Sequence, residues 1–314
     1  MHTTGNSPAD RRRARTSARV IAVVSVITAL IFVLHPVLPG VFGTAIATAL
    51  PWLGLLVPAL AIAAIGTRRR RAWLVAAVPL LAWLFVMGPL LVPLSSAPAH
   101  AGEQEIMVAS QNVQAGSGTA AESASTLAER GADVIALEEL DGAAREAAAA
   151  ALQETHPYSY AVGTVGIWSQ YPIVNEQPLE LGLGWNRALA ADLDTPDGLV
   201  SIYVVHAASL RPGAQSDRDE MLNELAETVA RDENERVIVA GDFNATVTDP
   251  ALRALQRTVT EPNQSGLTFG FTWPNDMPVA RIDHIFQRGL NPLESSVVPA
   301  GASDHLAVVM TFAF

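Results

Sequence analysis

The apolar positions fall in three long stretches at the start of the chain and in short, punctuated runs after that. Val20 to Leu38 holds no acid or base except His35, Val41 to Gly66 is apolar throughout, and Trp73 to Pro93 is apolar again. A bilayer core of ~30 Å takes ~20 helical residues, so each stretch is long enough to span. The pattern predicts three transmembrane helices over about 20–38, 44–66 and 73–93. Pro51, Pro58, Pro79 and Pro89 lie inside the second and third stretches. Membrane helices tolerate proline, with kinks as the expected consequence. Soluble helices of this length keep a polar face, which these stretches lack.

The segment "PLSSAPAHAGEQ" (93–104) is small, Pro-rich and polar, and reads as a linker. Within it, Ala99-His100-Ala101 resembles a small-residue cleavage site. From residue 105 the period shortens. Strands are predicted at Glu105–Ser110, Val134–Leu137, Thr164–Ser169, Ala188–Leu193, Leu199–His206, Val237–Ala240, Ile282–Gln287, Ser296–Val298 and Ala307–Phe312. Helices are predicted at Ala120–Arg130, closed by Gly131, at Gly142–Thr155, and from Ser216 to about Arg231, with Ser216 and Asp219 resembling a capping box. Asp249-Pro250 opens a short helix. Strands neighbour strands as often as helices, which argues against a plain doubly wound sheet. An α/β fold of mixed sheets stacked on each other, with helices outside, fits better. The domains expected are a membrane domain over 1–93, a linker over 94–104 and a folded domain over 105–314.

Charge divides the chain at the same place. Residues 1–101 carry nine Arg and one acid, Asp10, whereas residues 102–314 carry eleven Arg and thirty Asp plus Glu, a net of −19. The arginines of the first part cluster at Arg11, Arg12, Arg13, Arg15 and Arg19, and again at 68–71, while the turn near Gly40 is uncharged. Positive loops stay cytoplasmic. Both clusters obey only if the N-terminus is cytoplasmic and everything after residue 93 lies outside the cytoplasm. The acidic second part disfavours a tight, non-specific binder of nucleic acid, whose footprint is basic. A local basic groove from Arg187, Arg211 and Arg281 is the remaining route to a polyanion. The chain has no Cys, so disulfides and thiolate metal sites are excluded. The three spans hold no interior ionisable residue apart from His35, so no ion path of a transporter is visible.

Polar residues gather at the ends of the short strands: Asn112, Glu138 and Glu139, His206, Asp242 and Asn244, Asp283 and His284, Asp304 and His305. Side chains at strand ends of one domain converge on one edge. The stretch "GDFNAT" (241–246) sharpens the question, because Gly, Asp and Asn are ordinary turn residues, yet residues two apart on an extended segment point the same way. A carboxylate and an amide aimed at one spot suit a hard cation or a phosphate.

Residues 105–314 resemble the endonuclease/exonuclease/phosphatase superfamily in "QNV", "DVIALEEL", "GIWSQYPI", "VVHAAS", "GDFNAT", "FTWP…ARIDHIF" and "SDHLAV", taken in chain order. The resemblance implies a four-layer α-β-β-α sandwich and attack by water on a phosphorus ester with a divalent cation, Mg²⁺ foremost and Mn²⁺ or Ca²⁺ as alternatives. It implies Glu139 as the principal metal carboxylate, with Asn112 beside it and Asp304 near the metal. It implies Asp242 orienting or deprotonating water, Asn244 holding the phosphate, His206 and His305 at the phosphate, and Asp283 paired with His305. Arg187 and Trp273 are candidate substrate contacts, and Phe269, Phe271 and Trp273 alternate along one face. His284 falls where the family often has Tyr and is expected to pack. Glu138, where the family commonly has Gln, is expected to face solvent, since strand neighbours point opposite ways. The partners expected are a lipid bilayer and a phosphate ester, nucleic acid or phospholipid, with no obligate protein partner inferred. The competing expectation is a catalytically silent binding or scaffold domain.

Overall fold

The computed structural model describes residues 8–38, 40–67, 69–95, 104–209 and 215–314. The expectations for Ala99-His100-Ala101, Arg68 and Arg211 lie outside the described residues. The chain divides into two compact units between Leu90 and Leu91.

The first unit is helical: α1 (Pro8–Leu34), α2 (Gly40–Leu53), α3 (Leu56–Gly66) and α4 (Arg70–Met87). Two of its helical stretches, Arg12–Val37 and Arg70–Met87, are long and apolar enough to cross a membrane. The second apolar stretch is not one straight helix. It breaks between α2 and α3 with a bend of 58°, so the spans number two, or three if the bent pair counts as one. The cause is local. Pro58 has no N–H to donate, and its ring collides with the carbonyl four residues back, at Gly54. Gly54 in turn lies against the Trp83 indole, where a Cβ would come within 2.6 Å of the ring. Small side chains at Ala64, Ala72 and Ala76 pack with Ile21, the kind of contact that lets membrane helices approach closely.

Among the described residues, the second unit contains eleven strands and three α-helices. One sheet has six strands in the order β10 (Asn291–Val298), β11 (Ala307–Ala313), β1 (Glu105–Asn112), β2 (Val134–Glu138), β4 (Val165–Ser169), β3 (Tyr158–Val162). The other has five in the order β5 (Ile173–Leu179), β6 (Ala188–Thr195), β7 (Gly198–His206), β8 (Arg236–Asp242), β9 (Asp283–Arg288). The pairs β1–β2 and β7–β8 are parallel and the rest antiparallel, so both sheets are mixed, as the sequence implied.

Strand periodicity sorts the side chains into layers. Ile106, Val108, Val134, Ala136, Ile202, Val204, Ile238, Ala240, Ile285, Val308 and Met310 form the core between the sheets. The alternate residues of the first sheet, such as Ile135 and Leu137, pack with Leu127 of α5 (Ala120–Glu129) and Leu152 of α6 (Gly142–Leu152). Those of the second sheet, such as Val237 and Val239, pack with Met221, Leu222 and Leu225 of α7 (Gln215–Ala230). Helices, sheet, sheet and helix make four layers. Two strands escaped the sequence pattern, β3 and β5. Both are edge strands with few buried positions, and β5 contains Pro178, so neither shows a clear alternation. The capping box at Ser216 does not form, because α7 already includes it, and Asp219 accepts from Arg218 instead.

Candidate active site

The face between the sheets sets where the polar residues go. Continuing the parity of Val134 and Ala136 along β2 gives Glu138; continuing Ile106 and Val108 along β1 gives Ser110 and Asn112. The same rule on the other sheet gives His206, Asp242 and Asp283. Register then sets these side by side, His206 opposite Asp242 and Asp242 opposite Asp283. Adjacent strands stand about 4.8 Å apart and packed sheets about 10 Å, so the ends of the two inner faces close on one another. Across that gap, Asn112 Nδ2 donates to Asp242 Oδ2 at 3.1 Å.

Two residues leave their strands to reach the site. Glu139 has φ of 58°, which turns its side chain away from the helix-facing position that strand alternation would give it. Its carboxylate accepts the Ala115 N–H at 2.9 Å and lies 3.5 Å from His206 Nε2. Asn244 has φ of 47°. Its backbone N–H donates to Asp242 Oδ1 at 2.9 Å, and its amide donates to Asp242 Oδ2 at 3.3 Å and to the Ala207 carbonyl at 3.1 Å. The extended-strand argument for Asp242 and Asn244 is therefore corrected. They meet through a turn closed on the Asp242 carboxylate, so the turn reading of "GDFNAT" holds and the turn brings both side chains to one spot. Gly241 is obligatory at the entry to this turn, with φ of 138° and the Val205 carbonyl where a Cβ would sit.

His305 Nδ1 donates to both carboxylate oxygens of Asp283, at 3.1 and 3.0 Å. Burial works against a charged ring, but Asp283 outweighs it and pushes the histidine up to about 10. His305 is thus an imidazolium at neutral pH. His206 is driven the opposite way, down to about 3, by burial and by the Arg187 guanidinium, whose Nη2 lies 2.7 Å from its Nδ1. One histidine is charged and the other neutral. Asp242 is pushed up to about 7 by burial and by neighbouring Asp283. Glu139 is the opposite case. Burial opposes its charge, but Ala115, Asn112 and His206 together hold it below its ordinary value.

Asp304 and Trp273 form the rim, with the indole N–H 3.3 Å from Asp304 Oδ2 and the ring centroid 6.5 Å from that of His305. Asn275 N–H holds the Asp304 carbonyl at 2.7 Å. Opposite them, Trp185 lies 5.0 Å from the Arg187 guanidinium carbon. All ten residues singled out in the sequence as catalytic, metal or substrate groups therefore lie at one end of the sandwich. Phe269 and Phe271 stack at 5.6 Å. His284 is buried between the Glu261 carboxylate and the Ala245 carbonyl, a packing and tethering role as expected. Arg281 pairs with buried Glu261 at 2.6 Å, so it is spent inside the protein and does not belong to a basic groove.

Glu138 departs from expectation. It does point opposite to where a strand would send Glu139, but that side is the interior between the sheets, not solvent. It is fully buried, accepts the Ser110 hydroxyl at 2.9 Å, and is raised well above its ordinary value by burial and then by Asp283. The parity of Val134 and Ala136 carried this signal in the sequence. Arg218 was also missed. It is fully buried in α7, and its Nη1 donates to the Asn244 carbonyl at 2.9 Å and to Asp249 Oδ2 at 3.1 Å. It holds the turn that presents Asn244. The sequence showed only one arginine in an otherwise amphipathic helix.

The donor set fits a hard cation. Glu139, Asn112, Asp242 and Asp283 offer oxygen, and no thiolate exists. Asp242, Asp283 and His305 also bring one ligand atom each within 4.8 Å. His305 Nδ1 is already donating to Asp283, which leaves Nε2 to meet an anion.

The profile of the Endonuclease/Exonuclease/phosphatase family matches residues 109–305. A comparison with curated proteins gives no match. Among solved structures, TDP2 of D. rerio complexed with a single-strand DNA product is 18% identical, with TM-score 0.54, covering 67% of this chain and 99% of that one. A beta toxin mutant from Staphylococcus aureus with bound magnesium ions is 17% identical, TM-score 0.50, covering 66% and 99%. An endonuclease/exonuclease/phosphatase family protein from Bacteroides thetaiotaomicron is 16% identical, TM-score 0.55, covering 70% and 97%. At these identities the structures speak for the fold. The profile match spans more than half of the chain, and with the convergence of its matched residues on one cleft the protein belongs to the endonuclease/exonuclease/phosphatase family.

Proposed function

We propose that this protein is a membrane-anchored, divalent-metal-dependent phosphodiesterase whose site works outside the cytoplasm. The observation that carries the reading is the cleft itself, where Glu139, Asp242, Asn244 and an Asp283-paired His305 meet from four strand ends. In this reading Glu139, with Asn112 beside it, holds the cation, which when bound withdraws charge from the phosphate and lowers the cost of attack. Asp242 orients the attacking water and takes its proton, a role suited to a carboxyl poised near neutrality. Water oxygen bonds to phosphorus as the P–O bond to the leaving alcohol breaks. The His305 imidazolium donates to the phosphate oxygens as charge develops there, and the Asn244 amide joins it by giving up its 3.3 Å contact to Asp242. His206, kept neutral, donates a single hydrogen bond rather than a charge, and Arg187 stands behind it.

Orientation rests on arginine. Clusters ahead of the first apolar helix and around 69–71 favour a cytoplasmic N-terminus with the second unit outside. The substrate reading favours a phospholipid head group or small diester over a polyanion. Net charge after residue 101 is −19, and Arg187 is the described arginine at the site once Arg281 is committed to Glu261. TDP2 was solved with single-strand DNA product, so DNA belongs in the test. The full chain in detergent is assayed with Mg²⁺ on sphingomyelin, phosphatidylinositol, inositol phosphates, single-stranded DNA and plasmid. Turnover of a lipid or small ester above the nucleic acids supports the reading. Inertness on the whole panel favours the silent scaffold.

A further inference from the structure

Seven large apolar side chains of the second unit are exposed among the described residues: Val92, Tyr158, Trp185, Leu199, Leu267, Trp273 and Met277. Their placement is uneven. Tyr158 begins β3, and Leu199 stands at the start of β7, seven residues before His206; both lie at the end of the sandwich away from the cleft. Trp185, Leu267, Trp273 and Met277 sit on the two loops that border it, with exposures of 50, 77, 40 and 70%. Trp185 covers Arg187 beside His206, and Trp273 bonds Asp304 beside His305, so the tryptophans flank the cleft from opposite sides. Leu267 and Met277 are the two most exposed of the seven, and a strongly acidic domain has no folding reason to leave them and two tryptophans on loops beside its site.

The connectivity of the loop adds a second observation. The chain leaves α4 at Met87, and five residues later the Val92 carbonyl accepts from Asn263 Nδ2 at 2.8 Å; Leu94 N–H then donates to the Gln264 carbonyl at 2.9 Å. The segment that receives the end of the apolar region is the one that continues, three residues on, into Leu267 and then to Trp273 and Met277. The first residues of the second unit are thus bonded to the segment that leads into the exposed loop.

We propose that the rim formed by Trp185, Leu267, Trp273 and Met277 docks on the surface of a neutral or zwitterionic bilayer, so that the cleft draws its phosphodiester from the lipid surface. Indole rings suit the interface, being apolar with one polar tip. The Trp273 N–H already points to Asp304, which leaves the ring face for lipid. The net charge of −19 selects against an anionic leaflet. The inference requires α1 and α4 to be membrane spans; it does not require turnover, although it names the substrate class for the phosphoesterase reading.

The absence of cysteine makes the test clean, since single labels need no background removal. The full chain is reconstituted into phosphatidylcholine nanodiscs with a nitroxide on Leu267→Cys, Met277→Cys, Leu199→Cys or Tyr158→Cys, and collision with oxygen and with a water-soluble nickel chelate is measured. A several-fold higher oxygen-to-nickel ratio at 267 and 277 than at 199 and 158 is expected. Equal, water-like ratios at all four positions overturn the proposal. In a second arm, Leu267→Ser/Met277→Ser is expected to cut kcat/KM several-fold on a nanodisc-borne diester and to leave a soluble diester unchanged; equal effects on both also overturn it. A chain that turns over neither substrate refutes the phosphoesterase reading, while the labels still decide the docking.

Discussion

Residue by residue, the candidate site holds two histidines in opposite charge states. His305 is charged because Asp283 outweighs burial, and His206 is neutral because burial and Arg187 act together. The sign of the pH dependence follows. The folded-state value of His305 is raised to about 10 from 6.5, so its pairing stabilises the fold fully below about 6.5 and that stabilisation is lost as pH rises through about 10. Activity that needs the imidazolium falls on the same alkaline limb. Asp283→Asn removes the anion, lowers the histidine, and moves that limb of the kcat profile towards neutral pH; an unmoved limb would separate His305 from the chemistry. Glu138→Gln is a milder change. Burial, and then Asp283, raise this carboxyl well above its ordinary value, so the uncharged amide is expected to fold with near-normal melting temperature, checked by calorimetry. The position illustrates what was legible. Strand parity was readable from Val134 and Ala136, but whether the inner face at residue 138 is wet or dry depended on a second sheet that no local pattern reveals.

At the scale of the element, strands place the site and turns finish it. Parallel and antiparallel register brings His206, Asp242 and Asp283 into one row, and these the strand pattern anticipated. Glu139 and Asn244 arrive through positive φ values, which the sequence did not show because neither is glycine. The Asn244 turn is held by Arg218, whose guanidinium is shared with Asp249. Breaking one partner of a buried pair costs ~3–5 kcal/mol, so Arg218→Met is expected to lower the melting temperature strongly. Arg218→Lys keeps a charge but not the fork, and is expected to lose about tenfold in kcat with little change in KM, since only the oxyanion contact of Asn244 is misplaced. Gly241→Ala places a methyl on the Val205 carbonyl and is expected to unfold the β7–β8 edge of the site, read as a lowered melting temperature together with lost activity. The edge strands β3 and β5 were not foreseen for the opposite reason. They contribute little to the core, so nothing constrains their pattern.

At the scale of the whole molecule, the sequence already separated an apolar, basic region from an acidic, mixed-sheet domain, and the structure divides near the same place. The apolar period overstated continuity. Pro58 and Gly54 turn the middle stretch into a helix pair bent by 58°, a three-dimensional consequence of two residues in an otherwise uniform run. Topology is testable at the C-terminus. A tag after Phe314 is expected to be cut by protease added to intact cells, and protection of that tag would reverse the orientation read from the arginines.

If Glu139, Asp242, Asn244 and His305 form one metal-dependent phosphoester site, the decisive assay is hydrolysis of bis-p-nitrophenyl phosphate by the full chain. Turnover is expected to require Mg²⁺, to be abolished by EDTA, and to fall by ~10²–10⁴ in both Glu139→Ala and His305→Ala. Turnover that survives chelation or either substitution would contradict it.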